Sequence, residues 1–112
     1  AKEAFYEKGE KSGPETLFFS DGAIASKAFY KEGKKEGVFE EWNSLHNLIC
    51  QAEYKEDKRE GKFNKYYEDG TPYIEQFYQN DQLHGEKKVY KKDGTILTTY
   101  WKEGHQLGEN RR

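Results

Sequence analysis

The 112-residue chain reads as an all-β protein, a tandem array of β-hairpins forming one elongated, twisted antiparallel sheet, for three reasons. Glycine and aromatic residues recur with a period of 24. Turn-forming residues arrive about every ten positions. Apolar residues do not recur at the spacing of a helix face.

The period is the sign of a repeat protein. Gly13, Gly37, Gly61 and Gly85 lie 24 residues apart, and Gly108 follows after 23. Seven residues ahead of each comes an aromatic: Tyr6, Tyr30, Tyr54, Tyr78 and Trp101. Five residues beyond the first four glycines comes a second aromatic column: Phe18, Trp42, Tyr66 and Tyr90. Residues 1–112 therefore form a single repeat domain of about four and a half 24-residue units.

Each unit predicts two strands and two loops. The first strand leaves the repeated glycine and passes through the second aromatic column, as in Lys62 to Tyr67. Asp21-Gly22, Asp69-Gly70 and Asp93-Gly94 then predict type I′ turns, whose two central positions both need positive φ. The second unit has Leu45-His46-Asn47 instead, and His and Asn tolerate the left-handed region well enough to keep a turn. The return strand runs through Tyr73, Ile74, Phe77 and Tyr78, with Pro72 confined to an edge or a bulge. The loop to the next unit is clearest at Lys31 to Gly37, and its two glycine columns predict positive φ or a bulge. Asp57 and Asp81 replace the first of these glycines, as a left-handed position allows. The sum is a meander of about nine short strands, each paired with its sequence neighbour. One unit cannot bury its own rings, and stacked units align them into ladders.

Composition sets the kind of core. Apolar residues make up 33%, charged residues 36%, and mean hydropathy is -1.25. Such values ordinarily mark disorder. The aromatic content of 16% offsets them, because each ring buries a large area, and a thin fold without a large core is expected. Net charge is -2 with both signs interspersed, which favours neither nucleic acid nor anionic lipid. Arg111 and Arg112 are too few to make a polybasic run.

Cys50 is the single cysteine, so an internal disulfide is excluded and a reducing compartment is compatible. It aligns with Ser26, Ile74 and Thr98, a small or β-branched strand position, and reads as a packed thiol. No apolar run approaches the ~20 residues of a membrane span, and no signal peptide is visible. The chain begins at Ala1 and contains no Met, as a processed chain would. A soluble protein is expected, cytoplasmic or exported with its signal removed.

No catalytic constellation emerges, and neither a metal nor a cofactor is expected. His46, His84 and His105 occupy different repeat positions, lack zinc-ligand spacing and read as solvated loop residues. Glu32, Glu36, Glu56, Asp57 and Glu60 lie among lysines as solvated loop charge. Gly33 to Gly37 lacks the Lys-Ser/Thr pair of a phosphate-binding loop. The aromatic columns remain. Both can serve as the fold's substitute for a core, or Phe18, Trp42, Tyr66 and Tyr90 can form a binding surface, with Trp42 foremost because Trp is enriched at hot spots. The column from Tyr6 to Trp101 and the glycines from Gly13 to Gly108 are the structural repeat positions. Open sheet edges would admit self-association or strand addition by a partner.

Tyr30-Lys31-Glu32-Gly33-Lys34-Lys35-Glu36-Gly37 resembles the Tyr-x-x-Gly-x-x-x-Gly signature of MORN repeats, as does Tyr78 to Gly85 with Asp81 at the first glycine. The half unit Tyr66-Tyr67-Glu68-Asp69-Gly70 resembles the bacterial MORN variant. The resemblance spans about Phe5 to Gly108 and implies an elongated, curved antiparallel sheet. It also implies a non-catalytic scaffolding or protein-binding role, with an unidentified protein partner or a second copy. Phospholipid or membrane-surface binding is the family's alternative, although the charge disfavours it. Some bacterial relatives carry an antitoxin label, which would make the partner a toxin. Others are named after phosphatidylinositol phosphate kinases, whose catalytic domain has no room here.

Overall fold

The computed structural model describes residues 1–111; Arg112, and with it the Arg111-Arg112 pair, lies outside that description. Fourteen strands occur among the described residues, and no helix. They are β1 (Lys2–Glu3), β2 (Tyr6–Glu7), β3 (Glu10–Lys11), β4 (Gly13–Phe18), β5 (Ile24–Lys31), β6 (Lys34–Lys35), β7 (Gly37–Trp42), β8 (Leu48–Lys55), β9 (Lys58–Tyr66), β10 (Pro72–Gln79), β11 (Gln82–Leu83), β12 (Gly85–Tyr90), β13 (Ile96–Lys102) and β14 (His105–Arg111). The main sheet is an antiparallel meander in the order β1-β4-β5-β7-β8-β9-β10-β12-β13-β14, with β6 beside β5 and β11 beside β10. β2 and β3 form a small hairpin of their own. The expected nine strands are thus ten. The extra one is β1, paired through Lys2↔Leu17 and Glu3↔Thr16, which carries no repeated residue that would mark it in the sequence.

The sheet measures 48 × 33 × 11 Å, one layer thick. It is open, and among the described residues nothing packs as a second layer. Accordingly no large side chain among them is fully buried, and their buried apolar residues are Ala28, Cys50 and Ala52. The small centre is flanked by rings that lie half-buried along the strands.

The turn types are exchanged relative to expectation. Asp21, Asp69 and Asp93 are not left-handed; in those turns only Gly22, Gly70 and Gly94 are, with φ of 90°, 88° and 91°. Gly22 N–H donates to Phe19 O (3.0 Å) and Phe19 N–H to Ala23 O (2.8 Å), which defines a type I turn closed by one left-handed residue. The aspartate is there for its side chain: Asp21 Oδ1 accepts Ala23 N–H at 2.8 Å, and Asp69 and Asp93 repeat the bond to Thr71 and Thr95. The His46 turn keeps the same frame, with φ 67° at His46. Asn43 Oδ1 replaces the carboxylate by accepting from Leu45 and Asn47 N–H. The Asn43 and Asn47 amides also donate to Glu68 O in the next turn, at 2.8 and 2.9 Å.

The type I′ turns are the two-residue connections. Both central residues have positive φ at Lys8-Gly9, Glu32-Gly33, Glu56-Asp57, Asn80-Asp81 and Glu103-Gly104. These connections are stitched together from unit to unit: Gly33, Asp57, Asp81 and Gly104 N–H donate to the carbonyls of Lys11, Lys35, Arg59 and Leu83 at 2.9–3.0 Å. Where aspartate replaces glycine it adds a bond. Asp57 Oδ1 accepts Lys35 N–H at 2.7 Å, and Asp81 Oδ1 accepts Arg59 N–H at 3.2 Å.

Two irregularities recur along the sheet. Beyond each connection the register slips: Tyr30 faces Lys35 but Lys27 faces Glu40, so residues 28 and 29 oppose residues 36 to 39. Gly37 takes up this excess with φ 90°. Before each hairpin turn a one-residue bulge follows, between Leu17/Phe18, Glu41/Trp42 and Tyr66 with Pro72/Ile74, so Pro72 enters at a bulge as expected. The last unit lacks this bulge, since β12 and β13 pair without interruption from Gly85↔Trp101 to Tyr90↔Ile96. That missing residue is why Gly108 arrives after 23 positions. It also moves the Cys50 equivalent in the last unit from Thr98 to Leu97, the partner of Val89 as Cys50 is of Glu41. Gly108 itself has no positive φ, which corrects its place in the structural glycine column.

Candidate functional site

Successive strand residues point to opposite faces. Alternation therefore separates the two aromatic columns. Tyr30, Tyr54, Tyr78 and Trp101 share one face with Phe39 and Phe63; Phe39 meets Tyr54 and Phe63 meets Tyr78 edge to face, at 6.5 and 5.5 Å. Phe18, Trp42, Tyr66 and Tyr90 lie on the other face, half-buried beside their register partners Ile24, Leu48, Pro72 and Ile96. The sequence grouped the four candidates correctly, but the ladder behind them is not part of the same surface. Tyr6, the first ring of the structural column, is exposed.

The face of Trp42 carries a third column that sequence reasoning missed. Phe29, Phe77 and Tyr100 are 42%, 41% and 40% exposed there, beside exposed Val38 and Ile24. The signal existed as doublets, Phe29-Tyr30, Phe77-Tyr78 and Tyr100-Trp101, whose members alternation sends to opposite faces. Glu53 takes the equivalent position in the second unit, and its Oε2 accepts Lys62 N–H at 3.0 Å. Tyr90 hydroxyl donates to Glu75 Oε1 at 2.7 Å, and that carboxylate pushes the phenol up to about 12. A shallow depression of about 320 Å³ lies between two turns, lined by Ala23, Ile24, Trp42 and His46. His46 Nε2 is 3.4 Å from Asp21 Oδ2, whose carboxyl is held below its usual range by Ala23 N–H and then by His46. We call this the aromatic face.

The opposite, cationic face is organised differently. Lys11 Nζ lies 4.7 Å from the Tyr30 ring centre, Lys35 5.0 Å from Tyr54, and Arg59 4.2 Å from Tyr78. Each cation thus covers the ring of the following unit. Leu83 breaks the series, and Lys87 serves Trp101 instead at 6.0 Å. Arg59 also bonds Asp81 through Nε at 2.6 Å and Tyr78 hydroxyl through Nη1 at 3.1 Å. The charges that look interspersed in the sequence are sorted by the pleat. Lys2, Lys11, Lys35, Arg59, Lys65 and Lys87 share this face with Glu15, Glu41, Glu109 and the Asp81 carboxylate. The aromatic face has Lys27, Lys62 and Lys88 with Glu3, Glu40, Glu53, Glu75 and Glu86 along its long strands, and Lys31, Lys34, Lys55, Lys58 and Lys102 with Glu7 and Glu10 beside its connections, so its charges nearly balance.

The isolated polar candidates resolve individually. Cys50 is buried on the cationic face, and desolvation pushes its thiol up, away from nucleophile chemistry. His46 and His105 are exposed, but His84 is only half-exposed and its Nδ1 is buried without a partner, so the solvated reading fails for that residue. Among the described residues no three His, Cys, Asp or Glu side chains are placed to hold a metal ion, and no helix is long and apolar enough to cross a membrane. No protein-family model matches the chain, and no curated protein matches it significantly.

Proposed function

We propose that the chain is a non-catalytic docking module whose aromatic face takes a protein partner. The observation that carries this reading is the exposed stripe of Phe29, Phe77 and Tyr100 beside the half-buried Trp42, Tyr66 and Tyr90. On a sheet one layer thick, no other part of the described chain covers that stripe. Contiguous exposed apolar surface marks interaction sites, and Trp and Tyr supply most hot-spot energy. A face 48 × 33 Å across is large enough for a standard interface, about 800 Å² per partner. The MORN resemblance supports the same reading, and an antitoxin-like role would be one case of it.

Pull-down with wild type and with the Trp42→Ala/Tyr66→Ala variant tests it. Partner recovery should fall at least about tenfold, as loss of two hot-spot rings implies. Unchanged recovery with an intact circular dichroism spectrum would remove this face from consideration. Flotation with anionic vesicles in place of protein capture would move the role to a lipid surface.

A further inference from the structure

We propose that the cationic face takes a second partner of different chemistry, an acidic segment of another protein lying across the strands. The chain has a net charge of -2, yet this face gathers six cations against four carboxylates, Glu15, Glu41, Glu109 and the Asp81 that bonds Arg59. Three of the six are already engaged: Lys2 and Lys11 share Glu15 at 3.3 and 2.6 Å, and Arg59 reaches Asp81 at 2.6 Å. Lys35, Lys65 and Lys87 have aromatic contacts and, among the described residues, no carboxylate within 4.0 Å.

The arrangement is ordered before any partner arrives. Rings hold Lys35 and Lys87, so less side-chain freedom is lost when a carboxylate binds. Lys11, Lys35 and Arg59 occupy one row, each two strands from the next, a repeat of about 9.5 Å. A polyproline II segment advances about 9.3 Å in three residues, so acids at every third position fall in step with this row, whose middle member, Lys35, has no carboxylate of its own among the described residues. Ala28 and Ala52, buried between the ring-bearing positions, leave the floor of the face low. Single-stranded nucleic acid fits less well, because it needs open ring faces for stacking and these rings carry the protein's own cations. The inference stands apart from the aromatic face, since the side chains involved point the other way.

A labelled Glu-Pro-Pro repeat peptide, followed by fluorescence anisotropy, is the probe. The variant Lys35→Gln/Lys65→Gln/Lys87→Gln should bind at least about fivefold more weakly, as the loss of three surface charges implies. The variant Lys27→Gln/Lys62→Gln/Lys88→Gln removes the same charge from the other face and should stay within about twofold of wild type. Should the first variant lose its circular dichroism spectrum, Lys65→Glu at an exposed position carries the same test. Trp42→Ala/Tyr66→Ala should leave peptide binding intact, which separates this result from the docking reading. Equal weakening by the two lysine variants, no binding by wild type, or tighter binding of a poly-dT oligonucleotide or phosphatidylserine vesicles would each overturn the proposal.

Discussion

The third unit and the last one share a glycine and an aromatic at the same relative positions, yet they use them differently. At Gly61 the backbone has φ 104°, and a Cβ would run into the Glu53 carboxylate that caps Lys62 N–H. At Gly108 the backbone is outside the left-handed region, and a Cβ would meet nothing within 4 Å. In the hairpin upstream of Gly61, β7 and β8 pair through a bulge, whereas β12 and β13, upstream of Gly108, pair without one. The same letter in a repeat can therefore be a requirement in one copy and a remnant of the pattern in another.

Gly61→Val should break the comparison most strongly. The positive φ and the displaced carboxylate together should cost about 2–4 kcal/mol, read from urea unfolding. Faster hydrogen exchange should concentrate in the flanking units. Uniform acceleration along the chain would show that the repeats do not behave as nearest-neighbour units. Tyr90→Phe should have a smaller effect, about 1 kcal/mol at neutral pH for the lost bond to Glu75. The folded phenol titrates near 12 against an unfolded value of 10.0, so wild type keeps this contribution below pH 10 and loses stability as pH rises toward 12. The variant should flatten that alkaline decline; an unchanged slope would remove Tyr90 as its cause. Gly108→Val should have the smallest effect and the opposite sign, a gain of about 0.5–1 kcal/mol from replacing a strand glycine. A loss as large as that at Gly61 would erase the distinction between the two units.

The meander, the repeat and the unit boundaries were legible because the period of 24 is written in the spacing of Tyr and Gly. The turn types were not. Asp-Gly fits a type I′ turn and equally a type I turn anchored by the aspartate, and only the Asp21 to Ala23 bond decides between them. The faces were illegible for a related reason. Lys87 and Lys88 are adjacent in sequence, and alternation gives one to each face. Bulges and register slips then change parity from strand to strand, so charge sorting follows only from the pairing. The four candidate rings did share a face, since each sits at the same place relative to its turn. Their exposed neighbours Phe29, Phe77 and Tyr100 were hidden behind the stronger tyrosine signal.

A meander of neighbours also has a mechanical character. Its first and last strands lie at opposite edges of the sheet, so tension applied between them acts across the strands. Strand pairs loaded in this direction open one hydrogen bond at a time, like a zipper, instead of shearing together. Under force, such a ribbon would lengthen in small steps at low load, each step yielding one hairpin, while the stitched connections set where it pauses.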